Sequence, residues 1–200
     1  VVPTTSQPPA GAFAEVYRKL AQEPCQILSV HLTGRLSGVI QSAYAATQLT
    51  PEADVALFDT LSVSTGTGFC VLEAAKMAQA GAGREEIVAR LAHIRDGLHI
   101  YLTPATLKYL QMSGRVGKLQ GAMAALLNVK PIIRMHEGLL DAFEKVRTRR
   151  ASLDRLLRLT EEAMGRHDLI DIAVIHADAP QEAEALAQRV RATFHYRHLF

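Results

Sequence analysis

The stretch His31-Leu32-Thr33-Gly34-Arg35-Leu36-Ser37-Gly38 follows the strand-like run Gln26-Ile27-Leu28-Ser29-Val30 and leads into a helix-like segment. A second turn of the same make-up, Asp59-Thr60-Leu61-Ser62-Val63-Ser64-Thr65-Gly66-Thr67-Gly68, follows Asp54-Val55-Ala56-Leu57-Phe58. A hydrophobic strand that hands over to a helix through a polar turn is the start of a βαβ unit. Two in succession imply parallel strands and right-handed crossovers. Such turns lie at the carboxyl ends of the strands, where the following helix offers unpaired N–H groups to an anion. Ser and Thr add hydroxyl donors without adding charge. That combination suits a single small anionic head, such as a carboxylate, better than a polyphosphate.

Working outward, the spacing predicts a helix over Gly11–Ala21 with Phe13, Val16, Tyr17 and Leu20 on one face. Ser37 is expected to cap a helix running to Gln48, and a further helix over Gly66–Ala80 stops at Gly81. Arg84–Asp96 is a charged amphipathic helix. Beyond it come a strand at Leu98–Thr103, a short helix from Pro104 to Met112 and the Ser113-Gly114-Arg115 turn. An alanine-rich helix over Leu119–Leu127 follows. Pro131–Met135 and Leu140–Val146 flank His136-Glu137-Gly138, a hairpin turn. A long helix over Ala151–Met164, a strand at Asp171–His176 and a helix over Pro180–Thr193 complete the chain, with a frayed tail at His195–Phe200. The expected class is α/β in two lobes: a parallel-sheet α/β/α domain over 1–82 and a mixed-sheet α/β domain over 83–200.

The chain has 200 residues, 48% hydrophobic and 21% charged, which describes an ordinary globular protein able to bury a core. Its net charge of +2 makes no case for nucleic acid. Cys25 and Cys70 read as reduced core thiols. No apolar run approaches the ~18 residues a spanning helix needs. No basic-then-apolar leader opens the chain, so the cytoplasm is the default expectation.

Catalytic templates fit poorly. There is no GxxxxGK[ST] phosphate loop, no G-x-S-x-G elbow, and no CxxC, HExxH or carboxylate cluster for a metal. One enzyme reading stays open: a serine-dependent hydrolase using Ser37, at a strand-to-helix turn, with neighbouring His31. The basic run Lys145-Val146-Arg147-Thr148-Arg149-Arg150 reads as a solvated helix entry, as a surface for an acidic partner, or as a regulatory surface for phosphates, including those of nucleic acid. Arg115, held between glycines, is placed to reach an anion or a partner.

Several motifs occur together in a fixed order. They are Thr5-Ser6-Gln7-Pro8, Leu36-Ser37-Gly38-Val39-Ile40-Gln41-Ser42-Ala43, the Asp59–Gly68 turn, Ser113-Gly114-Arg115-Val116-Gly117-Lys118, Leu127-Asn128-Val129-Lys130-Pro131 and Lys145-Val146-Arg147-Thr148-Arg149. In this order, over nearly all of Thr4–Ala192, the chain resembles the DegV family of fatty-acid-binding proteins. The resemblance implies a two-domain α/β protein that sequesters a long-chain fatty acid, such as palmitate, stearate or oleate, between its domains. It implies that Thr5 and Ser37 hold the carboxylate, with Gly38 and Ser64 nearby. It also implies a carrier rather than an enzyme, with no cofactor and no metal. In some members the bound acid is presented to a separate ATP-dependent fatty acid kinase subunit, and Arg115 is the position to face that partner or the phosphoryl group. Transient contact with a membrane surface fits such a carrier.

The departures are local. Val39-Ile40 stand where the family usually has Thr-Tyr. The opening strand of the family and its later histidine-bearing segment have no counterpart here, so the sequence resembles an internal portion.

Overall fold

A computed structural model of the chain describes residues 4–116, 119, 129–165 and 170–200. The elements run α1 (Ala10–Leu20), β1 (Gln26–His31), α2 (Val39–Leu49), β2 (Asp54–Asp59), α3 (Ser64–Gln79), α4 (Arg84–Asp96), β3 (Tyr101–Leu102), α5 (Lys108–Met112), β4 (Lys130–His136), β5 (Leu139–Val146), α6 (Arg149–Met164), β6 (Ile170–Ile172), α7 (Pro180–Thr193) and β7 (Tyr196–Leu199). Two compact units result. The first comprises Val1–Ile100, Lys108–Gln120 and Met135–Asp141; the second comprises Tyr101–Leu107, Gly121–Arg134 and Ala142–Phe200. The first unit therefore runs past the division expected at residue 82. Ile87 and Leu91 of α4 share a core with Phe58 and Cys70, which keeps α4 with the elements before it.

In the first unit β1 and β2 pair in parallel, from Gln26 opposite Asp54 to His31 opposite Asp59. Strand alternation sends successive side chains to opposite faces. Ile27 joins Ala14 and Tyr17 of α1 and Ala46 of α2 on one face. Leu28 and Val30 join Phe58, α3 and α4 on the other. This is the expected α/β/α layering. Ala43 and Ala46 are fully buried, small enough to let α1 lie close on α2. Burying a side chain such as Phe58 or Leu91 contributes roughly 1.5–3 kcal/mol each. Helix α3 ends as expected, with Gly81 at φ +83° just beyond Ala80.

The start of α2 differs from expectation. Gly38, not Ser37, is the N-cap residue, although Ser37 Oγ still accepts a 3.3 Å hydrogen bond from Val39 N. The loop continues one residue further before its dihedrals turn helical. Cys25 is also corrected: it is exposed, its thiol donating to Leu20 O at 3.3 Å, because it precedes the strand rather than opening it. Cys70 is buried as expected, and burial raises its thiol pKa against a smaller opposing pull from Arg95.

In the second unit β3 is shorter than expected and pairs antiparallel with β4, Tyr101 opposite Arg134 and Leu102 opposite Ile133. Helix α6 begins at Arg149, two residues earlier than the apolar pattern suggests. Thr148 caps it, its hydroxyl accepting from Ala151 N at 3.1 Å. Arg155 then forks between Glu144 and Glu162. The frayed tail expected at His195–Phe200 is instead strand β7, parallel to β6. Phe200 N donates to Ile172 O at 3.0 Å and Val174 N to Phe200 O at 2.9 Å. Tyr196 and Leu199 pack on Ile172, Val190 and Phe194. Arg197 and His198 both engage Asp171. His198 is thus a hydrogen-bond partner of Asp171 within the sheet. The alanine-rich helix expected over Leu119–Leu127 lies almost wholly outside the described residues.

Candidate functional site

Beyond β1 and β2 the two polar turns are laced together. Thr33 N donates to Ser62 O at 2.8 Å and Thr60 N to His31 O at 3.0 Å. The Asp59 carboxylate sits between the turns, accepting from Gly34 N at 3.0 Å and Leu61 N at 2.8 Å. A Cβ on Gly34 would lie 2.8 Å from Ile40 Cγ2, so only glycine fits that corner without movement. The hydroxyls of Thr33 and Thr60 are spent internally. Thr60 Oγ1 donates to His31 O and meets Thr67 Oγ1, both at 2.9 Å. Thr33 Oγ1 donates to Gly138 O at 3.0 Å and accepts from Arg35 N at 3.2 Å. Ser62 Oγ is buried and has no hydrogen-bond partner among the described residues.

The hairpin joining β4 to β5 reaches this loop through Gly138. Glu137 at φ +50° and Gly138 at φ +77° are the two turn residues, the left-handed pair a tight hairpin requires. The hairpin read from His136-Glu137-Gly138 is therefore present. Its glycine supports the first polar turn as well as reversing the chain.

A cleft of about 380 Å³ lies beside this turn, lined by Arg35, Leu36, Ser37, Gly38, Ser113, Gly114, Arg115 and Leu139. It brings Ser37 and Gly38 of one sequence motif together with Arg115 of another. Among the described residues its charge comes from two arginines, and no carboxylate lines it. Arg115 is held over its own turn: Nη1 donates to Ser113 O at 2.7 Å and its backbone N to Ser113 Oγ at 3.3 Å. Thr5 is exposed and outside the lining, but Gln7, two residues on, packs over Gly38. Gln7 Nε2 lies 2.8 Å from where a Cβ on Gly38 would sit. Ser64 is exposed at the first position of α3, with φ +53°.

His31 and Ser37 are not hydrogen-bonded to each other. His31 Nε2 meets Ser29 Oγ at 2.8 Å, and Ser29 Oγ meets Tyr17 Oη at 2.9 Å. The imidazole is buried with its ring edge-on to Phe13, centroids 5.5 Å apart. Burial holds its pKa below the ordinary 6.5, against a smaller upward pull from Asp59. Among the described residues no group of His, Cys, Asp or Glu could hold a metal ion, and no helix is long and apolar enough to cross a membrane.

Sequence reasoning did not single out Gln7, Arg35, Asp59, Ser113 or Gly138. The carboxylate opening Asp59-Thr60-Leu61-Ser62 carried the one local signal, since Asp readily accepts from the backbone N–H two residues on.

Comparisons with known proteins agree with these features. A family model described as "Uncharacterised protein, DegV family" matches residues 1–199. The protein DegV of Bacillus subtilis is 32% identical over 194 residues, covering 96% of this chain and 69% of that protein. A DegV domain-containing protein of Streptomyces coelicolor is 37% identical over 189 residues, covering 94% of this chain and 66% of its own. Among solved structures, a DegV family protein of Thermus thermophilus described by its fatty acid binding superposes with a TM-score of 0.90 at 31% identity. The match covers 100% of this chain and 71% of that one. The Bacillus subtilis DegV structure, described as a fatty acid binding protein, gives 0.89 at 31% identity, over 98% and 71%. With its motifs in order, its fold matched and a family model spanning nearly its whole length, the chain belongs to the DegV family.

Proposed function

We propose that this protein is a non-catalytic carrier that binds one long-chain fatty acid and presents its carboxylate to a separate ATP-dependent fatty acid kinase subunit. The observation that carries the reading is the cleft where Ser37, Gly38, Ser113 and Arg115 converge with no acidic residue among them. Neutral hydroxyls, a helix N-terminus and an arginine form a receptor for one anionic head. The related structures described as fatty acid binding supply the ligand class. Ser37 and the Gly38 N–H hold the carboxylate, and Thr5 closes on it from the segment that Gln7 anchors against Gly38. Ser64 adds a hydroxyl from the start of α3, and Arg115 faces the partner. The acyl chain supplies most of the affinity, at ~0.8 kcal/mol per buried CH₂. The hydroxyls fix which end is offered. His31, already hydrogen-bonded to Ser29, serves the packing of α1 rather than activating Ser37.

Native mass spectrometry of the purified protein, followed by denaturation and lipid identification, tests the reading. A stoichiometric fatty acid is expected, with no covalent adduct on Ser37 after fluorophosphonate treatment. A protein that stays empty after incubation with palmitate and oleate refutes it. So does rapid labelling of Ser37.

A further inference from the structure

We propose that Arg35 is a specificity-determining residue that, with Arg115, makes the cleft prefer a doubly charged phosphate head over a singly charged carboxylate; this rests on the carrier reading above. Two arginines line the cleft and, among the described residues, no carboxylate does, in a chain whose net charge is only +2. The local excess is therefore a property of the cleft and not of a basic protein.

The two arginines are held differently. Arg115 is tethered to the carbonyl of Ser113. Arg35 is fixed at its base. Its backbone N donates to Thr33 Oγ1, and its Cδ lies 3.3 Å from where a Cβ on Gly138 would sit. Its guanidinium makes no hydrogen bond or ion pair with a described residue, and the side chain is exposed beside Ser37. The backbone is set while the charged end stays available.

A carboxylate can satisfy one guanidinium in a bidentate pair and leaves the second uncompensated. A phosphate monoester carries close to two charges above its second pKa of about 6, and has three acceptor oxygens. It can engage Arg35 and Arg115 together while still accepting from Ser37, whose hydroxyl proton is uncommitted; the Ser113 hydroxyl is already donated to Leu110 O at 2.9 Å. The leucines at 36 and 139 in the lining are compatible with an apolar chain joined to that head.

Calorimetric titration of the full chain with dodecyl phosphate and with dodecanoate tests the assignment. At about pH 8, where the phosphate is close to doubly charged, the unmodified protein is expected to bind dodecyl phosphate about tenfold or more tightly than dodecanoate. Arg35→Gln is expected to weaken dodecyl phosphate binding about tenfold and dodecanoate binding less than about twofold, with Arg35→Lys recovering part of the loss. Equal losses on both ligands, or no loss on either, overturn the role of Arg35. Normal dodecanoate binding without any phosphate preference overturns this inference and leaves the carrier reading standing. Failure of both ligands to bind the unmodified protein overturns the two together. Arg35 is exposed, and an unchanged circular dichroism melting curve checks that the variants are folded.

Discussion

Replacing Gly138 by alanine isolates what the hairpin does for the candidate site. Gly138 sits at φ +77°, where an L side chain costs roughly 1–2 kcal/mol. Space adds a second cost. The new methyl would land on Thr33 Oγ1, well inside contact distance, and 3.3 Å from Arg35 Cδ and Leu61 Cδ2. Thr33 is fully buried, and its hydroxyl both donates to Gly138 O and accepts from Arg35 N. Moving it disturbs two hydrogen bonds worth about 1 kcal/mol each, and a buried donor left unmade costs about 1–3 kcal/mol. With both hydrogen bonds lost the total is about 3–4 kcal/mol, and about 4–7 kcal/mol if the buried donor finds no other partner. Gly114 is the matched control: φ is +71° and nothing lies within 4 Å of its hypothetical Cβ, so Gly114→Ala should cost only the backbone share, about 1–2 kcal/mol. Urea unfolding of the two variants, followed by far-ultraviolet circular dichroism, reads the difference as a shift in midpoint at constant slope. Equal destabilisation would mean that the Gly138–Thr33 contact is not a structural support, and the account of the hairpin would be wrong.

Other expectations follow from the same geometry. Ser37→Ala removes a hydroxyl that a bound carboxylate would use. Affinity for palmitate should fall about tenfold to a hundredfold, while stability changes by no more than about 1 kcal/mol for the lost bond to Val39 N; unchanged affinity removes Ser37 from the site. Because burial lowers the His31 pKa, the unfolded chain binds the proton more readily than the folded one. Stability should therefore be undiminished above the ordinary 6.5 and decline as pH drops below it toward the folded value. A His31→Gln variant should lose that part of the slope, read by urea titrations across the range. Glu144, Asp171 and Glu182 have carboxyl pKa values held down, in each case first by hydrogen bonds from Arg155, Arg197 and Arg149 respectively. Their contribution is present above the ordinary carboxyl values of 4.5 and 3.8 and should be lost as pH falls below them through the depressed folded values. In hydrogen exchange, the Val174 and Phe200 amides should be protected well beyond a terminal tail, and exchange at random-coil rates would contradict β7.

Local signals account for what the sequence made legible. Helix α4 spans Arg84–Asp96 in both readings, since its ends lie at Gly83 and Gly97, and α7 begins at Pro180, a residue suited to a first turn. The parallel β1–β2 pair followed from two apolar runs with polar exits. Strand β7 did not, because Tyr196-Arg197-His198-Leu199 is half polar and gains its order from Asp171 and from its ladder with β6. At the site, Ser37, Gly38 and Arg115 were readable as hydroxyl, glycine and arginine in turns. Gly138 was readable as a turn residue and no more. Its partner Thr33 is 105 positions away, and no local pattern announces such a pairing. Gln7 on Gly38 is hidden for the same reason.

The carboxylate of Asp59 has a consequence for any incoming acid. The space between two strand-end turns, ringed by backbone N–H groups, is the natural resting place for a negative charge. In this protein it is already occupied by one of the chain's own residues, which consumes the N–H groups of Gly34 and Leu61. A visiting head group finds that seat taken and is repelled by its occupant. On the proposed carrier reading the guest is held farther out, at the threshold of Ser37 and Gly38, within reach of a second molecule. Substituting Asp59 would vacate the inner seat, and an anion that settled there would be bound but withheld.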